Sequence, residues 1–202
     1  MYYSRENLVD VRYSDGITHI GNSTLYGCKA LLRANVPNGT NTIGKCAFEG
    51  CSSLTVIAIP DSLAPNGLGE YVFKNCTSLR MLTVPINVDL VGDNDDERFL
   101  GVCNIRSLLF TPGSGETAGM GHDYSGYSYQ WSPQFFSRNS LSSAFFSEGV
   151  KKIGMNTFYG CYNLMSTSLP ESLVTIDQQS FYGCSGLRGQ LLIPLNVTEI
   201  KD

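Results

Sequence analysis

The sequence predicts an α/β-type repeat solenoid with one parallel strand per turn, and three observations predict it. One residue pattern recurs along the chain, exemplified by Ile43-Gly44-Lys45-Cys46-Ala47-Phe48-Glu49-Gly50-Cys51-Ser52-Ser53-Leu54 and Ile153-Gly154-Met155-Asn156-Thr157-Phe158-Tyr159-Gly160-Cys161-Tyr162-Asn163-Leu164. The cysteines of successive clear copies lie 23, 25 and 23 residues apart. Each is followed by Pro, nine residues on at Pro37, Pro60, Pro85 and Pro170 and ten on at Pro194. Such a unit cannot bury its own apolar face, so a continuous core must come from stacking.

Taken in order, the opening residues fit a partial copy with Tyr2, Leu8, Val11 and Tyr13 inward, Ser14 in the Pro position, then Ile17 and Ile20. The second copy runs from Ile20-Gly21 through Leu25, Cys28 and Leu31. The third contains Leu54-Thr55-Val56-Ile57-Ala58-Ile59-Pro60, a short strand with Leu54, Ile57 and Ile59 inward, ended by a Pro that cannot donate to a ladder. Leu79, Leu82 and Val84 repeat those positions.

Two weaker copies follow, with Phe99, Val102, Ile105, Leu108, Phe110 and then Phe135, Arg138, Leu141, Ala144, Phe146. A competing register, counting Pro112 back nine residues to Cys103, would turn Arg106 inward; Val102 in the Cys position keeps all five inward residues apolar. Copies centred on Cys161 and Cys184 complete about eight units of roughly 23 residues. The chain stops at Ile200-Lys201-Asp202, where a ninth would begin, and is expected to be a piece of a longer array or an array without its cap. A β-sandwich also has short strands at regular spacing, but it does not require one pattern copied at a fixed offset.

Composition narrows the function. Of 202 residues, 42% are hydrophobic and only 16% charged, enough apolar material for a packed core and unlike a disordered chain. The net charge of −4 gives no concentrated positive patch for non-specific nucleic-acid or anionic-membrane binding. No apolar run reaches the ~20 residues that cross a bilayer. Residues 1–7 lack the apolar core of a signal peptide, so an exported form would carry its targeting segment elsewhere. Motifs for metal binding or catalysis (C-x-x-C, H-E-x-x-H, G-x-S-x-G, Walker A) are missing and only His19 and His122 occur, so neither an enzyme nor a cofactor is expected.

The strand core L-x-x-L-x-L resembles leucine-rich repeats. The fuller pattern I-G-x-x-x-F-x-G-C-x-x-L-x-x-I-x-I-P-x-S-L resembles the BspA-like leucine-rich repeats of bacterial and protist surface proteins. The resemblance covers 1–202 as one domain apart from two insertions, at about 93–97 and 113–130. It implies a right-handed solenoid with the parallel sheet on its concave face and loop or short helix on the other side. It also implies a cell-surface or secreted adhesion protein that binds a protein ligand, such as a host or matrix surface protein. A structural spacer within a larger surface protein is the alternative.

Neighbouring ladder cysteines would sit about 4.8 Å apart, inside the Cα range for a disulfide. Their side chains would run parallel into the core, however, and consecutive bridges cannot all form. Cys28, Cys51, Cys76, Cys161 and Cys184 are therefore read as buried free thiols acting as small hydrophobes. Cys46 and Cys103 lie off the ladder and are expected to be more exposed. The acidic run 93–97 starts like a calcium loop but has Arg98 where that loop needs Gly, and reads as a solvated turn. N-x-S/T occurs at Asn22, Asn38, Asn75 and Asn196, with Asn75 beside a buried position and a poor acceptor.

Two surfaces are candidate binding sites. Residues between the inward apolar ones face outward from the strands: Asp10, Arg12, Arg33, Asn35, Thr55, Val56, Arg80, Met81, Arg106, Ser107, Ser143, Phe145, Met165, Ser168 and Arg188. Five of the 14 basic residues fall there, giving a mildly basic, partly apolar strip suited to a protein or an acidic glycan. Arg33, Arg80, Met81, Arg106, Phe145 and Arg188 are its candidate ligand-binding residues. The larger insertion adds Tyr124, Tyr127, Tyr129 and Trp131, residue types that often anchor interfaces.

Overall fold

A computed structural model describes residues 7–88, 104–113 and 140–202. Among the described residues there are twelve short strands: β1 (Asp10–Val11), β2 (His19–Ile20), β3 (Arg33–Ala34), β4 (Thr42–Ile43), β5 (Val56–Ala58), β6 (Met81–Pro85), β7 (Ser107–Thr111), β8 (Ser143–Phe146), β9 (Lys152–Ile153), β10 (Ser166–Ser168), β11 (Thr175–Ile176) and β12 (Glu199–Ile200). Every pairing is parallel, as a coil advancing one strand per turn requires.

The described strands fall into two ladders. The first comprises the pair β1-β3 and the five-stranded sheet β5-β6-β7-β8-β10. Its inward residues align as Ile57, Leu82, Leu108, Ala144 and Thr167. The second forms at the Ile-Gly position, as β2-β4 and β9-β11-β12, with an isolated bridge from Ile43 to Leu68. The irregular copies hold register across their insertion, since Leu108 aligns with Ala144 although 36 residues separate them. Ile105, Leu108 and Phe110 are buried and Arg106 is exposed.

The expected short helix does not form; among the described residues there is none. In the copies around Leu25, Phe48 and Phe158, alternate N–H groups of the segment carrying the Phe position donate sideways to the next turn, and no group bonds to the residue four back as in an α-helix. Ser23 N, Leu25 N and Gly27 N donate to Lys45 O, Ala47 O and Glu49 O, all at 2.8 Å, and Cys46 N, Phe48 N and Gly50 N repeat the pattern one turn on. Ser23, Cys46, Tyr71, Asn156 and Gln179, at one position in five copies, all have φ between 53° and 58°. A left-handed residue interrupts the α conformation and frees those N–H groups for the neighbouring turn.

Between the ladders lies one apolar core. Phe48 stacks on Phe73 at 5.5 Å between centroids and Phe158 on Phe181 at 5.3 Å. In the irregular copies Phe110 and Phe146, at the residue before the Pro position, stack at 5.2 Å, and both meet Phe158 edge-on at 6.0 Å. Each such pair contributes about 0.5–1.5 kcal/mol beyond its area burial.

None of the six described cysteines forms a disulfide, and the five ladder thiols are buried with Cys46 half-buried; Cys103 lies outside the described residues. The ladder thiols also do more than fill space. Cys51 Sγ donates to Leu25 O at 3.2 Å, Cys76 Sγ to Phe48 O at 3.1 Å and Cys184 Sγ to Phe158 O at 3.1 Å. Each joins its turn to the previous one at a carbonyl that already accepts from that turn's own Cys N–H.

Candidate binding surface

The alternation that buries Ile57, Leu82 and Leu108 presents their neighbours to solvent on the outward face of the first ladder. Parallel pairing sorts these residues into rows about 4.8 Å apart from strand to strand. One row is Val56, Met81, Ser107, Ser143 and Ser166; a second, two residues further along each strand, is Ala58, Thr83, Leu109, Phe145 and Ser168. The residue preceding the first row adds Thr55, Arg80, Arg106, Ser142 and Met165, linked in sequence by Arg80 N to Thr55 O, Arg106 N to Arg80 O, Ser142 N to Arg106 O and Met165 N to Ser142 O, each 2.8–2.9 Å.

Arg80, Met81 and Arg106 are thus neighbours on two adjacent strands, and Phe145 lies one strand beyond in register with Leu109. Arg80 is held in place, its Nη1 donating to Thr77 O at 2.8 Å and Leu79 O at 3.2 Å. Arg33 is on β3, separated from β6 by β5, and in register with Asp10. Asp10 pairs with Arg12 at 3.5 Å, so the basic character at that end is partly offset. Arg188 is exposed on a segment that forms no strand. Tyr124, Tyr127, Tyr129 and Trp131 lie outside the described residues.

Val56, Met81, Leu109, Phe145 and Met165 are all exposed and form an apolar band across the sheet. Leu109 belongs to it although the basic strip was traced through Arg106 and Ser107. Its sequence signal was its place between two inward residues, Leu108 and Phe110. Among the described outward positions of β5, β6, β7, β8 and β10 none is Asp or Glu, and the acid that reaches this face is Asp61, whose carboxylate accepts the Thr111 hydroxyl at the end of β7.

Other clusters are structural. Asp177, buried at the position that other copies fill with Gly, binds Lys152 Nζ at 2.8 Å and Lys201 Nζ at 3.5 Å and accepts Gln178 N at 2.9 Å. Burial opposes its charge, but the Lys152 hydrogen bond, the Gln178 N–H and the two ammonium groups prevail and hold its pKa below the ordinary value. Burial pushes the Cys51 thiol up to about 12 and Cys184 to about 11; burial and a hydrogen bond with Glu49 raise Cys46 to about 11. These thiols are poor nucleophiles at neutral pH. Among the described residues no group of His, Cys, Asp and Glu is placed to hold a metal, and no helix is long and apolar enough to cross a membrane. Of the sequons, Asn75 proves exposed, with φ of 61° at a position where other copies have Gly. Asn22 and Asn196 are engaged between turns, Asn22 Oδ1 accepting Lys45 N and Asn196 Nδ2 donating to Glu171 O.

A model for the BspA type leucine-rich repeat region matches six copies, over residues 1–115 and 130–202, against the expectation of about eight units. No curated protein matches the chain. Among solved structures it is similar to a leucine-rich repeat protein of T. pallidum, with 22% identity over 96% of this chain and 73% of that one and a TM-score of 0.44. It is also similar to a leucine-rich cell surface protein from Faecalibacterium prausnitzii (18% identity, 97% and 60%, TM-score 0.38) and to the pneumococcal vaccine antigen PcpA (21%, 95% and 58%, TM-score 0.39). The chain spans less than two thirds of the latter two.

Proposed function

The chain belongs to the BspA-type leucine-rich repeat family, and on that premise we propose that it is a non-enzymatic binding module of a cell-surface or secreted protein. It takes a protein ligand, such as a host or matrix surface protein, on the outward face of its first strand ladder. The observation that carries this reading is the face on which Arg80 and Arg106 border the exposed residues Met81, Leu109 and Phe145. Aromatic and Met side chains supply area in an interface while Arg adds directional hydrogen bonds and speeds encounter with an acidic partner. An acidic glycan would use the arginines alone and leave the apolar band uncovered. Tyr124, Tyr127, Tyr129 and Trp131 are assigned an accessory role in the same binding, as anchors from the insertion.

The test is capture of extracellular-matrix and host-surface proteins by the chain and by a variant carrying Arg33→Ala, Arg80→Ala and Arg106→Ala. Loss of capture with unchanged circular dichroism supports recognition by the strand face. Equal capture by the two overturns that placement and moves recognition to the insertion aromatics. If neither captures a partner, the chain is a spacer that holds other domains away from the surface.

A further inference from the structure

The outward apolar side chains of the first ladder run obliquely across the strands. Val56 faces Met81 on β5 and β6, and Leu109 faces Phe145 on β7 and β8. The register partner of Leu109 on β6 is Thr83, not Met81, so the second pair is displaced from the first by two residues toward the strand ends. All four side chains are exposed. Three strand spacings of about 4.8 Å and two residue rises of about 3.3 Å place Phe145 about 16 Å from Val56. The line between them meets an apolar side chain about every 5.3 Å.

The two flanks of that line differ in charge. Toward the strand starts, Arg80 and Arg106 precede the register partners Met81 and Ser107, and Arg106 N donates to Arg80 O at 2.8 Å. Among the described residues neither guanidinium forms an ion pair. The bonds from Arg80 Nη1 to Thr77 O and Leu79 O fix that side chain beforehand, which reduces the entropy lost on binding. Toward the strand ends the charge is negative: Asp61 accepts the hydroxyl of Thr111, five residues beyond Arg106.

Spacing and charge together define what can lie on this line. An α-helix rises about 5.4 Å per turn, and its residues i, i+4, i+7 and i+11 share one side, the last about 16 Å from the first. An extended segment shows the same side every two residues, about 6.6 Å, and over three such steps overshoots by about 4 Å. We infer that the partner segment taken by this face is an amphipathic α-helix laid along Val56, Met81, Leu109 and Phe145, with two carboxylates one turn apart on the flank that meets Arg80 and Arg106. The strand spacing of about 4.8 Å between the two arginines is close to one helical turn, and a guanidinium fork matches a carboxylate. The inference rests on the binding-module reading and adds the shape and charge of the element bound.

The probe is a fluorescein-labelled peptide of about five helical turns, with Leu at i, i+4, i+7 and i+11, Glu along one flank, and Ala and Gln elsewhere. Its anisotropy is titrated with the 202-residue chain, beside a peptide with Lys for every Glu and one of the same composition shuffled to break the apolar side. The first peptide is expected to bind with a micromolar Kd and the other two at least about tenfold more weakly. Leu109→Ser and Arg106→Ala, with unchanged circular dichroism, should each weaken the first peptide about tenfold. Equal binding of the three peptides, no binding of the first, or binding unmoved in either folded variant overturns the proposal. Suppose the triple arginine variant loses capture of matrix or host proteins, yet the helical peptide neither binds nor competes with that capture. The binding-module reading then stands and the helix is wrong; equal capture by the triple variant removes the reading itself.

Discussion

The turns between Ile20 and Val88 and the last turn, from Ile176 to Ile200, have nearly the same inventory of residues but different packing. In the former, Leu54, Ile57, Ile59, Leu79, Leu82 and Val84 are buried, and alternate N–H groups of the Phe segments at Ser23–Gly27 and Cys46–Gly50 bond to the next turn. In the latter, Leu187 is half-buried, while Leu191 and Ile193, in the same slots, are exposed. The Gly position differs as well: Gly44 and Gly69 become Asp177. The spacing differs too, ten residues from Cys184 to Pro194 against nine from Cys51 to Pro60 and from Cys76 to Pro85.

Four experiments sharpen or break that comparison. The largest effect is expected from Phe73→Ala, which empties a fully buried ring position and should lower unfolding free energy by about 3–5 kcal/mol. Leu191→Ala in the last turn should cost less than about 1 kcal/mol; equal losses in chemical denaturation would show that the last turn packs like the others. Next is Gly69→Ala. Its Cβ would lie 2.4 Å from Lys45 N and 2.6 Å from the Gly44 carbonyl carbon, both backbone, so the turns must separate, at a cost of about 3 kcal/mol. Gly21→Ala, whose nearest neighbour is Thr24 Oγ1 at 3.5 Å, should change stability by no more than about 0.5 kcal/mol.

The third experiment concerns Asp177, which ties β9 and β12 through Lys152 and Lys201. Its pKa is lower folded than unfolded, so its stabilising contribution is present above the unfolded value of about 3.9 and is lost as pH falls through the folded one. The stability advantage of the wild type over Asp177→Asn, followed by thermal unfolding, should be constant from pH 7 to about 5 and shrink below about 4. A gap independent of pH would remove the ionised carboxylate from the account. The smallest effect is a gain: Thr167→Val deletes a buried hydroxyl without a partner and should stabilise the chain by about 1 kcal/mol. A loss of stability would mean that the hydroxyl is satisfied in solution.

Much of this organisation is legible in the amino-acid order because each inward residue is specified locally. The L-x-x-I-x-I spacing marks Leu54, Ile57 and Ile59 from sequence, and the choice of Val102 over Cys103 places Arg106 outside, where it is found. The outward strip follows from the same alternation, which also places Leu109 outward between buried Leu108 and Phe110. The segment behind the strands was less legible. Phe three residues ahead of Cys suits a helical turn as well as a stacked one, and the choice depends on carbonyls of the next turn, 22 residues away for Leu25 and Ala47.

The sequence by itself determined the repeat, the strand ladder, the apolar interior and the mildly basic, partly apolar outward strip, since those depend on a two-residue alternation and on a motif copied within the chain. Only the tertiary structure decided how the turns join: the thiols donating to carbonyls of the previous turn, and the second ladder and sideways hydrogen bonds in place of a helix. Those features rest on which backbone groups meet across turns, and a main-chain N–H or C=O is the same in every residue except proline, whose nitrogen has no hydrogen to donate.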